Sequence, residues 1–224
     1  MKHLFATILL IVSISSQAQR ADSLLARPIL KVLPFHLFDL DNSLTLGMEL
    51  PFKNSPYTIQ TDIGYGQQSW NIWEAIKSPK DIVETWRLRV QWRYYFTKKL
   101  KRGYYVAMQY AFKKNTIREW ESIGKDCVDN NCAYSENIIT TKGRFASGLS
   151  MMSGWQWQGK TRWSFDLYLG LGFRTLNVKY LGSEQYNTSR LGGGFLDFGI
   201  YNRNIGSYGP YLDLFHGFYV GYAL

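Results

Sequence analysis

The chain has 224 residues, a formal net charge of +9 and an aromatic content of 17%. Such a high aromatic content excludes a disordered protein, and the length suits one domain or two small ones. No apolar run after residue 20 approaches the roughly 20 residues that a membrane-spanning helix needs, which also excludes a helical membrane protein.

Residues 1–18 have the pattern of a secretory signal peptide. Lys2 supplies a positive charge, an apolar stretch follows, and a small-x-small cleavage site ends at Ala18. We therefore predict export, with cleavage after Ala18 and a short periplasmic segment at residues 19–27. The alternative is an apolar N-terminal helix that stays attached to the protein.

The two cysteines, Cys127 and Cys132, lie close together in a polar stretch. In an exported protein, this spacing predicts a local disulfide across a turn. A metal site would need about four ligands, and the neighbouring residues offer no second Cys/His pair. We therefore expect no metal and no other cofactor.

From residue 28 to residue 224, apolar residues alternate with polar or small ones. In the stretch 163–174, for example, Trp, Phe and Leu alternate with Ser, Asp, Tyr, Gly and Arg. This period of two predicts β-strands with one apolar and one polar face. The polar face mixes arginine with aspartate and glycine, which is typical of a narrow lumen. The pattern therefore predicts an all-β fold, a closed antiparallel up-and-down transmembrane barrel.

Eight strands are predicted, and the connections between them alternate between short and long. The strands span 28–38, 43–52, 57–68, 84–97, 103–120, 137–157, 161–182 and 209–224. Outer-membrane barrels have short periplasmic turns and long external loops, so this alternation and the even strand number place both termini in the periplasm. The segment 194–202 also has strand character, which leaves a ten-stranded barrel as the alternative.

The predicted lumen contains charged side chains of both signs. They are Glu49, Asp62, Arg87, Arg89, Arg93, Lys113, Arg144, Asp166, Arg174 and Asp213. An eight-stranded barrel is just wide enough for side chains to fill it, so we predict an interior closed by ion pairs. The alternative is a narrow pore with an arginine-rich lumen.

Aromatic residues concentrate beside the short turns, as expected for a girdle at one membrane interface. The predicted girdle consists of Phe52, Tyr57, Tyr94, Phe96, Tyr104, Trp155, Trp157, Trp163, Tyr219 and Tyr222. In the external loop 69–83, Trp70, Trp73 and Ile76 have helical spacing. This spacing predicts a short amphipathic helix, which lies on the outer leaflet surface, folds into the barrel mouth or binds a partner.

Catalysis would need a nucleophile and a base within reach of each other. His36 and His216 fall on the first and last predicted strands, on the parity assigned to lipid, but the outward serines Ser147 and Ser153 lie on strand six. No carboxylate shares that face to orient a base. We therefore predict no enzyme activity, with an outer-leaflet lipid-modifying enzyme as the alternative. The basic residues are dispersed, which argues against nucleic-acid binding.

Three segments follow the pattern of known outer-membrane barrels: Ile29–Pro34, Leu46–Glu49 and Tyr211–Tyr222. In them the chain resembles the small OmpA/OmpX-type eight-stranded barrels of Gram-negative bacteria, and more narrowly an uncharacterised family of exported barrels. The closing segment is similar to the signal read by the barrel assembly machinery, although the chain ends in Leu224 instead of Phe. The resemblance implies outer-membrane lipid and that machinery as partners, and it implies no catalytic residues.

These patterns together predict an outer-membrane barrel that acts structurally or through contacts of its external loops with a surface partner. The same patterns do not identify that partner.

Overall fold

The computed structural model describes most of the chain after the predicted signal peptide. The described residues are 27–39, 41–52, 55–70, 82–97, 103–128, 131–158, 162–182 and 205–224. Within these ranges the side chains of residue 82 and residues 121–132 are not described. Residues 1–26, which contain the predicted cleavage site, therefore lie outside the described residues. No helix in the described ranges is long and apolar enough to cross a membrane.

Eight antiparallel strands form a closed ring in chain order. They are β1 (Ile29–Val32), β2 (Leu44–Pro51), β3 (Tyr57–Gln67), β4 (Ile82–Tyr95), β5 (Gly103–Val128), β6 (Asn131–Gln158), β7 (Trp163–Tyr180) and β8 (Gly206–Ala223). Each strand pairs with its neighbours in sequence, and β8 pairs with β1. This topology confirms the predicted all-β, up-and-down barrel, and the ring closes with eight strands and not ten.

Burial follows the alternation of the sequence, with polar side chains inside and apolar side chains outside. In β7, Ser164 and Asp166 are 1% exposed and Tyr168 is 6% exposed. Leu167, which alternates with them, is 64% exposed. On β6 and β8, Met151 and Leu214 are 73% and 68% exposed. A barrel in water would bury these large apolar groups, so the arrangement is the inverse of a soluble β-protein.

Strand β1 ends at Val32 and is therefore much shorter than the predicted strand 28–38. Pro34 has no N–H to give to a ladder and has a fixed φ, so it begins a 3₁₀ turn at Pro34–Leu37. This turn contacts both β2 and β8. It therefore continues the wall of the barrel where the β1–β8 ladder has stopped.

Strands β5 and β6 are longer than predicted and form one continuous hairpin. β5 pairs with β4 as far as Arg118, and β6 pairs with β7 from Lys142 onward. Beyond these points the described strand ladder joins only 119–128 to 131–141, a two-stranded ribbon about 30 Å long at roughly 3.3 Å per residue. The predicted loop between strands is thus mostly strand.

Cys127 and Cys132 lie opposite each other in the ladder of this ribbon. Their side chains are outside the described part of the chain, so the disulfide stays a prediction.

The connection between β1 and β2 packs tightly against Gly66. A Cβ atom added at Gly66 would overlap the carbonyl oxygen of Asn42. We expect Gly66→Ala to displace this connection and to lower the free energy of unfolding by about 1–3 kcal/mol. Urea unfolding of the reconstituted protein, followed by tryptophan fluorescence, measures the change.

Gly182→Ala is the matched control, because no atom of the described residues, apart from its chain neighbours, lies within 4 Å of a Cβ at that position. Its effect should stay within about 0.5 kcal/mol. Equal stabilities for the two variants would contradict the packing described for Gly66.

Candidate functional site

The candidate site is the polar interior of the barrel, because every strand contributes inward side chains to it. The structure places all ten residues of the predicted lumen on the inner face. Glu49, Asp62, Arg89, Arg93, Arg144 and Asp166 are buried, and Arg87, Lys113, Arg174 and Asp213 are partly buried. The contacts of eight of them form three layers between the short turns and the opposite end of the barrel, and Arg174 pairs separately with Asp213 at 3.5 Å.

The layer nearest the short turns contains two cations and two carboxylates. The Nζ atom of Lys31 lies 2.6 Å from Glu49 Oε2 and 2.9 Å from Asp166 Oδ2. The guanidinium of Arg93 lies 2.6 Å from Asp166 Oδ2. All four side chains are at most 1% exposed, so their charges are tolerated only because they cancel within the cluster.

Hydroxyl donors fix the two carboxylates of this layer. Tyr95 donates to Glu49 Oε1 at 2.8 Å, and Thr58 donates to the same oxygen at 2.8 Å. Tyr105 donates to Asp166 Oδ1 at 2.7 Å, and its ring lies 4.5 Å from the guanidinium carbon of Arg93. One oxygen of each carboxylate therefore accepts from hydroxyl groups on other strands, and the second oxygen faces the cations.

The middle layer is organised around Asp62 and Tyr219. Arg89 lies 3.1 Å from Asp62 Oδ2, and the Tyr219 hydroxyl donates to that oxygen at 2.7 Å. Gln91 Nε2 in turn donates to the Tyr219 hydroxyl at 2.8 Å. These contacts join β3, β4 and β8 across the lumen.

The assignment of Tyr219 to the aromatic girdle is wrong, because its side chain is fully buried. Residue 219 has the parity of Asp213 and Phe215, and that parity faces inward on β8. Tyr222 has the opposite parity and is 39% exposed. Odd-numbered residues from 211 to 223 of β8 face the interior, so Tyr219 belongs to the lumen.

The third layer is supplied partly by the connection between β1 and β2. Asp41 Oδ2 accepts from Asn115 at 2.8 Å and lies 2.6 Å from Lys113 Nζ and 3.4 Å from Arg144. Asp39 pairs with Arg87. Two carboxylates of the connection thus pair with three cations on the strands. The three layers together place paired charges along the lumen.

Asp41 has an acid-sensitive role in this layer. Burial alone would raise the pKa of Asp41, but Lys113 and Arg144 hold it well below its usual range. Its ionised form therefore stabilises the fold above the unfolded pKa of about 3.9. We expect this contribution to be lost as the pH falls from about 4 toward the folded-state pKa.

Urea unfolding at a series of pH values measures this loss. Asp41→Asn removes the titrating group, so the free energy of unfolding of the variant should depend less steeply on pH below about 4. Equal slopes for the variant and the wild type would contradict the role of Asp41.

The outer face has an aromatic band at the short-turn end. Phe52, Tyr57, Phe96, Tyr104, Trp155, Trp157, Trp163 and Tyr222 are exposed, and Tyr94 is half-buried. Tyr94 links this band between strands, since its ring centroid lies 5.1 Å from that of Tyr57 and 5.0 Å from that of Phe96. Nine of the ten predicted girdle residues therefore lie on the outer face.

A smaller aromatic group lies at the opposite end of the barrel, around Tyr65. Its ring centroid is 4.8 Å from that of Trp86 and 5.8 Å from that of Trp70. Trp70 ends a 3₁₀ turn, Gln68–Trp70, and is 47% exposed. Trp73 and Ile76 lie outside the described residues, so the amphipathic helix stays a prediction.

The two histidines do not face each other across a strand pair. His216 is exposed on the outer face, as predicted. His36, however, turns inward, because its Nδ1 atom lies 2.8 Å from the buried hydroxyl oxygen of Thr45. The prediction that both face lipid is wrong for His36, because β1 ends before it. In the described ranges no group of three His, Cys, Asp and Glu side chains could hold a metal ion.

Lys31 is the main interior residue that the sequence analysis did not identify. It contacts both carboxylates of the first layer. It alternates with the outward residues of β1 in the same way as Ile29 and Leu33, which also face inward. That parity was visible in the sequence and would have assigned Lys31 to the lumen.

Comparison with known proteins gives a family for the chain. The family model described as Protein of unknown function (DUF3575) matches residues 4–193, which include strands β1 to β7. Searches of the curated proteins and of the solved structures gave no match. Because the model matches more than half of its length, the chain belongs to the DUF3575 family.

Proposed function

We propose that this chain is an outer-membrane β-barrel of Gram-negative bacteria with a structural or surface-interaction role and no catalysis. The observation that supports this most strongly is the inverted burial, in which large apolar side chains surround a ring with charged side chains inside. Exposed apolar surface is unfavourable in water and favourable in lipid. A closed ring also pairs the backbone groups of its strands, which a hydrocarbon environment requires.

The three layers of ion pairs favour a closed barrel over the narrow pore. Arg93, Glu49 and Asp166 are all at most 1% exposed and lie in contact across the lumen. A conducting path would have to separate these charges in a medium of low dielectric constant, which costs free energy. The interior therefore supports the wall, and recognition belongs to the loop end.

The ribbon at 119–128 and 131–141 is the main candidate for surface contacts. It extends beyond the barrel wall on the side opposite the short turns. Its described side chains include the apolar groups of Trp120, Tyr134 and Ile139, which are 54%, 56% and 60% exposed. With the short turns in the periplasm, this ribbon and both termini lie on opposite sides of the membrane.

Fractionation of cells tests the location. We expect the protein in the outer-membrane fraction of a density gradient, resistant to extraction with alkaline carbonate. Protease added to intact cells should cut at Lys125 and spare Lys98 to Arg102. Recovery in the soluble fraction would overturn the proposal, and cleavage at the second site alone would invert the topology.

Planar bilayers test the closed interior against the pore. Purified protein inserted into such a bilayer should give no discrete openings. Openings that disappear in an Arg89→Gln variant would instead support the pore and overturn the closed-barrel proposal.

A further inference from the structure

A groove of about 530 Å³ opens on the outer face of the barrel across β5 to β8. Its walls are mainly aromatic and leucine side chains, among them Phe35, Tyr104, Trp155, Leu167 and Leu169. Ser153 and His216 lie between these walls. Ser153 is small beside these neighbours, so the wall is depressed around it.

The 3₁₀ turn Pro34–Leu37, which follows β1, closes one end of this groove. The ring of Phe35 meets the rings of Phe218 and His216 edge-on, with centroids 5.0 Å and 6.0 Å apart. The opposite end is formed by Tyr104 and Trp155, which belong to the aromatic band. The groove is therefore continuous with the apolar outer surface.

Ser153 and His216 have hydrogen-bonding groups that this face leaves without partners. They share one row of the ladder, since Ser153 pairs with Leu169 and Leu169 pairs with His216. Across the described part of the chain, neither side chain makes a hydrogen bond; the contact of His216 with Phe35 is between rings. In hydrocarbon, such groups are costly unless a ligand supplies acceptors.

We propose that this groove binds the ester region of one membrane phospholipid. Its acyl chains pack against Leu167 and Leu169. Ser153 and His216 lie on either side of Leu169, and each donates a hydrogen bond to one of the two acyl esters. A purely apolar occupant would leave both donors unsatisfied, and a water-soluble ligand would have to cross the surrounding apolar surface. The inference rests on the proposed membrane location of the barrel.

Photo-crosslinking tests the site in the intact protein. The full chain is reconstituted into vesicles of phosphatidylethanolamine and phosphatidylglycerol with a trace of phosphatidylcholine carrying a diazirine near the ester end of one acyl chain. Crosslinked peptides are mapped by mass spectrometry. We expect labelling at Trp155, Leu167 and Leu169 to exceed labelling at Leu149 and Leu214 several-fold.

Two variants separate binding in the groove from general contact with lipid. Ser153→Trp fills the groove from the outer face and should reduce groove labelling several-fold. Leu149→Trp, at a position 57% exposed on the same strand, adds the same ring outside the groove and should leave groove labelling unchanged. His216→Phe keeps a ring but removes its donor, and should also reduce labelling.

The outcomes distinguish the inference from the proposed function. Labelling spread evenly over the outer face would overturn the groove site while supporting membrane insertion. Groove labelling that survives Ser153→Trp would likewise overturn the site. No labelling anywhere would overturn the groove site together with the membrane location.

Discussion

We expect Arg93→Met to lower the free energy of unfolding by about 3–5 kcal/mol, the usual cost of removing one partner from a buried ion pair. Arg93 is fully buried and lies 2.6 Å from Asp166 and 3.7 Å from Glu49. Without it, Lys31 alone faces two buried carboxylates. Urea unfolding in lipid vesicles gives the value.

Arg118→Met is the control, because Arg118 is exposed on β5. It should change stability by no more than about 0.5 kcal/mol. Adding Asp166→Asn to Arg93→Met removes the excess negative charge and should recover part of the loss, which a double-mutant cycle measures. If Arg93→Met and Arg118→Met were equally mild, the first layer would not hold the barrel together.

We expect Tyr219→Ala to have a similarly large effect, about 3–5 kcal/mol, because it deletes a fully buried aromatic ring and leaves a cavity. It also takes a hydroxyl donor from Asp62. Tyr219→Phe keeps the ring and loses only the hydroxyl, so it should cost about 1–3 kcal/mol. The same unfolding measurement ranks the two variants.

Tyr222→Ala gives the comparison for an aromatic residue of the opposite parity. It lies on the same strand and is 39% exposed, so its removal leaves no enclosed cavity and should cost less than Tyr219→Ala. Equal losses at the two positions would contradict the inward orientation of Tyr219.

Strand number and faces were predictable because a period of two survives in every long strand. Leu167 and Asp166 lie on opposite faces, as their alternation indicates. Where one residue interrupts the ladder, the prediction was less accurate. Alternation continues past Pro34, but the missing N–H at that position ends β1, and His36 turns inward as a result.

The ribbon and the layers were less predictable, for different reasons. Residues 121–136 lack apolar alternation in the sequence, so they resembled a loop, although 121–128 and 131–136 are strand. The contact of Lys31 with Glu49 and Asp166 depends on the register of distant strands. Parity assigns a side chain to the interior, but only the register shows which charges meet.

The short ladder between β1 and β8 is the contact that closes the ring. It joins the first strand to the last through the pairs from Ile29–Ala223 to Val32–Val220, so its formation closes the longest loop in the sheet. Closing that loop has the largest entropic cost, and the ladder itself supplies only four residue pairs in return. We therefore expect this ladder to form last during folding and to separate first under denaturant. Until it forms, the free edges of β1 and β8 can pair with other chains, which makes ring closure the step most exposed to aggregation.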